Sequence, residues 1–201
     1  MIPAVIGLAA SGTILLLSRG EETPLTATPA TLTPDSFSHL EEGIEVPLAL
    51  TRKQWLAFLR VAACGNPRTV TPSFRLGTFG LTVRRLCDVG AMAHPRVIRF
   101  KGRQVWDADW RNPSNLPAFQ AAPMLQYKLF TDSIKGFFVA PQVANAVGQV
   151  IDGIPVSQSG ALMLAHRAGL PGMSSWLQDP TIRERFSKNT TAFFHQANGI
   201  F

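Results

Sequence analysis

A mainly helical α+β domain is predicted from residue 47 to residue 201, and three observations predict it. Apolar residues recur at helical spacing between recognisable caps and breakers. One internal stretch, Val97 to Trp106, reads instead as a small β-hairpin turning at Lys101-Gly102. Apolar residues make up 46% of the chain, enough for a domain of this size to bury a core without staples. The 201 residues suffice for one domain and an appendage, not for two full domains.

Residues 1–20 form the first part of the appendage, a hydrophobic N-terminal helix. The run from Ile2 to Ser18 carries no charge and is followed at once by Arg19. At ~1.5 Å per residue it spans roughly 25 Å, slightly short of a ~30 Å hydrocarbon core, a mismatch that local thinning accommodates. A basic segment ahead of the run and an A-x-A site after it, the marks of a secretory signal, are both missing. Gly7, Ala9, Ala10, Ser11, Gly12 and Thr13 suit close helix–helix packing. Residues 2–18 therefore read first as a membrane or assembly anchor, with a signal peptide or a helix packed on other protein as alternatives. Residues 21–46 read as a linker, because Pro24, Pro29 and Pro34 among threonines favour extended backbone.

Within the domain, Thr51 caps a helix whose inward face is Trp55, Phe58, Leu59 and Ala62. Cys64-Gly65-Asn66-Pro67 stops it. A second helix is expected from about Gly77 to Met92, with Leu81, Leu86 and Val89 inward. After the hairpin, Pro113 and Pro117 precede a long helical region from about Ala118 to Gly136, and another from about Pro141 to Val150. Asp152-Gly153 marks a turn, and Ser157 caps a helix running through Arg167. Three short helices complete the domain, divided at Gly169-Leu170-Pro171-Gly172, at Asp179-Pro180 and at Lys188-Asn189.

The net charge of +6 is unevenly spread, with Arg84, Arg85, Arg96, Arg99, Lys101, Arg103 and Arg111 in one stretch. Such a field favours acidic partners or else is a solvated surface. There is neither an RNP-type aromatic motif nor a zinc finger, so specific nucleic-acid recognition is not expected. Cys64 and Cys87 read as two unpaired buried thiols, a single bridge being the alternative, and no metal or cofactor is expected.

Two segments carry a family resemblance. The first runs Gly65-Asn66-Pro67, then Thr71-Pro72-Ser73-Phe74-Arg75-Leu76-Gly77-Thr78-Phe79-Gly80-Leu81, then Arg84-Arg85-Leu86-Cys87-Asp88-Val89-Gly90. The second is Ser159-Gly160-Ala161-Leu162-Met163-Leu164-Ala165-His166-Arg167-Ala168-Gly169-Leu170-Pro171-Gly172. The closing Thr190-Thr191-Ala192 and Ala197-Asn198-Gly199-Ile200-Phe201 add to them. In order and separation these segments resemble the lysozyme-like lytic transglycosylase and muramidase domains of phage virion proteins. The resemblance implies a lysozyme-like helical domain with a groove for the glycan strand of peptidoglycan. It also implies an acid at the end of the first helix, whose carboxyl must stay protonated near neutrality to donate to the glycosidic oxygen.

Here the sequence departs from that pattern. The expected acid position holds Ala62, or Ala63 if the turn is shifted, and neither can move a proton. A positioned general acid contributes roughly 10²–10⁴-fold, so a groove without one should bind and hardly cut. Other carboxylates offer themselves weakly. Glu41, Glu42 and Glu45 lie in the linker, Asp88 suits a pair with Arg84 or Arg85, and Asp107 and Asp109 alternate with tryptophans near a groove edge. Nothing in the spacing of Cys64, His94, His166 and His195 favours a Cys/His nucleophile.

By resemblance, Phe79, Gly80, His166 and Gly169 are the substrate-binding residues. Gly80 stands where the family usually carries glutamine. Trp55, Trp106, Trp110 and Trp176 could stack on sugars, but core anchoring is the commoner role of tryptophan. The resulting expectation is a structural component of a phage particle with a degenerate peptidoglycan-hydrolase-like domain, placed where tail meets cell envelope. Its partners would be other virion proteins, peptidoglycan glycan strands, and a membrane through residues 2–18. An active glycosidase with an unrecognised acid is the alternative.

Overall fold

A computed structural model describes residues 46–201 apart from 48, 49, 72, 101, 186 and 187. The expected N-terminal helix, and the linker as far as residue 45, lie outside the described residues. The described part is α+β: helices with three small antiparallel strand pairs. No described helix is long and apolar enough to cross a membrane.

Helix α1, Arg52–Ala62, starts on a capping box. Gln54 N–H donates to Thr51 Oγ1 at 3.3 Å, and Thr51 N–H donates to Gln54 Oε1 at 3.0 Å, so two exposed donors are satisfied. Its buried face is Trp55, Phe58, Leu59 and Ala62, the face the periodicity predicts.

The second helix is much shorter than predicted. Leu76 and Leu81 pair across the miniature strands β1 (Arg75–Leu76) and β2 (Leu81–Thr82). Between them Gly77 and Gly80 adopt φ of 70° and 60°, left-handed values that helix cannot use. Helix α2 is therefore only Val83–Asp88, with Thr82 Oγ1 accepting from Arg85 N–H at its start. Leu81 and Leu86 are buried as expected, while Val89 is half-buried beyond the helix end.

The hairpin is longer than its sequence signature. Strands β3 (Met92–Phe100) and β4 (Arg103–Trp110) pair from Met92↔Trp110 to Phe100↔Arg103. Gly102, just before β4, has φ 78°, the left-handed backbone that tight hairpin turns use. A bulge interrupts the register between Ala93 and Arg96, with His94 at φ 53°. The base of the ribbon leans on α2. Farther out, the facing pair Val97 and Trp106 is 51% and 44% exposed, so that end stands off the body.

The expected long helix is two. Helix α3, Leu116–Gln120, starts on Asn115, and helix α4, Pro123–Phe138, starts on a proline that holds Ala122 out of helical geometry (φ −120°, ψ 73°). Helix α5, Pro141–Ala146, stops before Gly148 (φ 85°), and the chain enters β5 (Val150–Ile151) and β6 (Ile154–Pro155). Asp152-Gly153 forms the turn between them, with φ of 52° and 82°.

Helix α6, Gln158–Gln178, is capped by Ser157 and breaks at Gly169 (φ 75°, ψ 164°). Its first part is buried on every side, each residue from Ser159 to Arg167 included, so it is the helix around which the rest is wrapped. Gly160 permits that closeness, since a side chain there would strike Asn198 and Phe194. Helices α7 (Pro180–Arg185) and α8 (Lys188–Ala197) follow the predicted breaks closely.

An aromatic stack forms the centre. Phe130 of α4 stacks on Phe79 at 4.4 Å, on Trp55 at 6.3 Å and on Phe58 at 6.4 Å, and meets the edge of His166 at 5.0 Å. Trp55 Nε1–H donates to Tyr127 Oη at 2.9 Å, which removes the penalty of burying the indole donor.

Candidate functional site

The end of α1, the β1–β2 turn and the middle of α6 meet in one place. Ala62 is fully buried and Ala63 is 8% exposed. The Ala62 carbonyl, left over at the helix end, accepts from Arg167 Nη2 at 3.0 Å. Arg75 Nη2 in turn donates to the Arg167 carbonyl at 2.8 Å. Cys64 N–H donates to the Thr78 carbonyl at 2.8 Å, tying the chain after α1 to the β1–β2 turn.

The four residues assigned by resemblance all belong to this neighbourhood. Phe79 is 1% exposed, its ring stacked on Phe130, so only its backbone faces the junction. Gly80 is buried, and a side chain there would begin 2.7 Å from Cys64 Sγ and 3.7 Å from Arg167 Nη1. His166 is 4% exposed, with Nε2 2.9 Å from the Phe79 carbonyl. A carbonyl can only accept, so Nε2 carries the proton; Nδ1 is buried without a partner. Gly169, half-buried at the break of α6, faces Arg85 Nη2, which lies 3.7 Å from where its side chain would begin.

The electrostatics of the junction are one-sided. Burial, then the charges of Arg167 and Arg75, hold the His166 imidazole well below its ordinary value. Burial and Arg167 also pull Arg75 down from the usual arginine range. The Arg167 guanidinium carbon lies 3.6 Å from the Phe193 ring centroid and that of Arg85 3.8 Å from the Phe137 centroid, so each cation sits over an aromatic face. Arg85 has a carboxylate, Asp88 at 3.1 Å. Among the described residues Arg75 and Arg167 have none.

The other residues read from the sequence lie elsewhere. Asp107 and Asp109 both pair with Arg96 at 2.8 Å on the exposed ribbon. Trp55 and Trp176 are core residues, Trp110 is half-buried against Phe119, and Trp106 is exposed. His94 and His195 are exposed. Neither cysteine is in a disulfide. Cys64 is exposed and Cys87 half-buried, which corrects the expectation of two buried thiols: Cys64 lies beyond the end of α1 rather than on its inner face. Burial and the Asp88 charge push the Cys87 thiol up. No group of three or more His, Cys, Asp or Glu side chains able to hold a metal occurs among the described residues.

Sequence reasoning missed Gln126, which is fully buried. Its Nε2 donates to the Pro67 and Phe119 carbonyls, both at 2.9 Å, and its Oε1 accepts from Thr78 N–H at 3.0 Å. It thus holds the whole loop after α1 against α4. The signal was a polar residue at an inward position of an apolar helix. Arg167 carried the same signal inside the second motif. A shallow open depression of about 180 Å³ lies apart from this junction, lined by Val89, Gly90, Ala91, Asn112, Leu125, Lys128, Leu129 and Asp132. No family model, curated protein or solved structure matches this chain.

Proposed function

We propose that the domain is a non-cleaving member of the lysozyme-like transglycosylase class, acting as a binding or structural part of a phage particle at the cell-envelope end of the tail. One observation carries the reading. Where the resemblance requires a proton-donating acid, the end of α1 instead presents Ala62 and Ala63, closed by a guanidinium on the Ala62 carbonyl. The described carboxylates that form ion pairs (Asp88, Asp107, Asp109, Asp132 and Asp152) do so with Arg85, Arg96, Lys128 and Arg183. A general acid must sit within hydrogen-bond reach of the bond it breaks, and surface ion pairs do not meet that condition. The apolar run at 2–18 and the proline–threonine linker fit a module tethered to an assembly or membrane.

The surroundings also bear on restoring the acid. A glutamate at position 63 would follow directly on the Ala62 carbonyl that Arg167 holds, and a nearby cation favours the ionised carboxylate. An ionised carboxylate cannot donate the proton, so Ala63→Glu should stay inert. The test uses the full chain with purified peptidoglycan, scored for co-sedimentation and for soluble muropeptides by mass spectrometry. Co-sedimentation without muropeptide release is expected from the parent and from Ala63→Glu. Release by the parent overturns the reading and makes the protein an active glycosidase; absence from purified particles overturns its placement in a virion.

A further inference from the structure

The β3–β4 ribbon carries its apolar face beyond the body it packs on. Gln104, Trp106, Ala108 and Trp110 of β4 lie on one side, because side chains alternate along a strand. At the base that side is covered: Ala108 is buried and Trp110 rests on Phe119. Farther out the same side holds Trp106 and Gln104, both exposed, beside their cross-strand partners Val97 and Arg99, also exposed. An indole 44% open to water and a valine 51% open, side by side, form an apolar spot that no described residue covers.

The charge around this spot has one sign. The ribbon's two carboxylates, Asp107 and Asp109, belong to the opposite side of β4, and both are bonded to Arg96 at 2.8 Å. Arg99 has no carboxylate partner among the described residues. Between Val97 and Trp106 the sequence has Arg99, Lys101 and Arg103 and no acid.

We propose that the outer end of the β3–β4 ribbon, Val97 and Trp106 with Arg99 beside them, docks on an anionic phospholipid bilayer surface. The proposal does not depend on the reading of the domain as a non-cleaving glycosidase. The headgroup region takes tryptophan at its boundary, and an arginine there lays its stem on apolar surface while its head stays among phosphates. Anionic lipid adds attraction for each cation at the surface. A second copy of the ribbon would instead bring like charges face to face. A nucleic acid is gripped through polar and charged side chains, whereas Val97, Ile98, Phe100, Val105 and Trp106 make half of this stretch apolar. The ribbon is a two-stranded sheet of its own, so its outer edges present backbone N–H and C=O groups with no further strand to meet them among the described residues. Such edges cannot enter hydrocarbon, so docking stops at headgroup depth.

Trp106 is itself the probe. Trp55 and Trp176 are core residues, and the run 2–18 contains no tryptophan, so insertion of that run alone brings no indole to lipid. The full chain is mixed with phosphatidylcholine vesicles made with or without phosphatidylglycerol, each carrying lipids brominated near the headgroup end of the acyl chain. The difference in fluorescence quenching between the parent and Trp106→Phe separates Trp106 from the half-buried Trp110. Quenching of Trp106 is expected on the anionic vesicles, and should be weak on the zwitterionic ones and fall as salt is raised. Arg99→Gln should lower the ratio of docked to free ribbon about fivefold, the contribution of one cation at an anionic surface. Both substitutions fall at exposed positions and leave the core untouched. No Trp106 quenching on anionic vesicles overturns the proposal, as does equal quenching on both kinds. Trp106 closed to aqueous acrylamide before vesicles are added also overturns it, because another part of the chain or a second copy then covers the spot. A change in Trp106 emission with a duplex oligonucleotide or with soluble glycan fragments, and none with vesicles, gives the surface to that partner instead.

Discussion

At His166 the imidazole is buried with one nitrogen on a carbonyl and the other without a hydrogen-bond partner among the described residues, and the charges of three arginines oppose its protonation. It is neutral in the folded protein. The unfolded chain takes up a proton near the ordinary value of 6.5, while the folded chain resists until far lower pH. Between those two values the unfolded state binds more protons, so stability rises with pH and is lost as pH falls below about 6.5, by up to about 1.4 kcal/mol per unit. Above that value the contribution is flat. Urea melts between pH 5 and pH 8 should show this slope, and His166→Gln, which keeps a donor for the Phe79 carbonyl, should flatten it. Identical slopes in the two proteins would place the pH dependence elsewhere. Little at this scale was legible in advance. Helical spacing identified Trp55, Phe58, Leu59 and Ala62 as buried, because burial on a helix follows a period. It did not reveal that Arg167 caps α1 from 105 positions away or that Gln126 serves three backbone groups, because hydrogen bonds between distant segments leave no periodic trace.

Among the elements, those with local causes were the readable ones. The Thr51 cap, the Ser157 cap, the Asp152-Gly153 turn and the breaks at Gly169 and Pro180 all act within a few residues and were found. The misjudged elements turned on competition between local and longer-range pairing. Leu81 fits a helical face, yet pairs with Leu76 because two glycines reverse the chain between them. The β3–β4 ribbon shows the converse, since its alternation is weak and its bulge hides the continuation to Met92 and Trp110. Outside its base, this ribbon is held chiefly by its own ladder and turn, which makes the turn its weak point. Gly102→Ala places a side chain at φ 78°, at a cost of about 1–2 kcal/mol. Hydrogen exchange should then accelerate at Val97 to Trp106 by roughly five- to thirtyfold while α4 and α6 amides stay unchanged. Equal acceleration in those helices would mean that the ribbon is integral to the core.

For the whole molecule, composition was the dependable guide. An apolar chain of this length predicted one core, and the described residues form one cluster centred on Phe130 and the buried half of α6. The class, mainly helical with small strand pairs, followed from the count and length of periodic segments. The position of α6 at the centre did not, because an apolar helix announces burial without announcing its neighbours. The net positive charge was equally visible, but its division was not. Arg96 is neutralised on the ribbon by Asp107 and Asp109, whereas Arg75 and Arg167 are gathered at the junction with no carboxylate partner among the described residues.

The three bonds that close the junction also set an order in time. His166 to Phe79, Arg75 to Arg167 and Arg167 to Ala62 join residues 87, 92 and 105 positions apart. Capped helices and tight turns form within microseconds, whereas contacts of such separation wait on the closure of long loops. These bonds should therefore be absent from the folding transition state and made on the downhill side of it. In a chevron experiment, Arg167→Lys should leave the folding rate within about twofold of the parent and carry nearly all its effect in a faster unfolding rate. A folding limb that slows in proportion to the lost stability would instead place the junction in the nucleus. If it forms late, the junction is also the part that opens first.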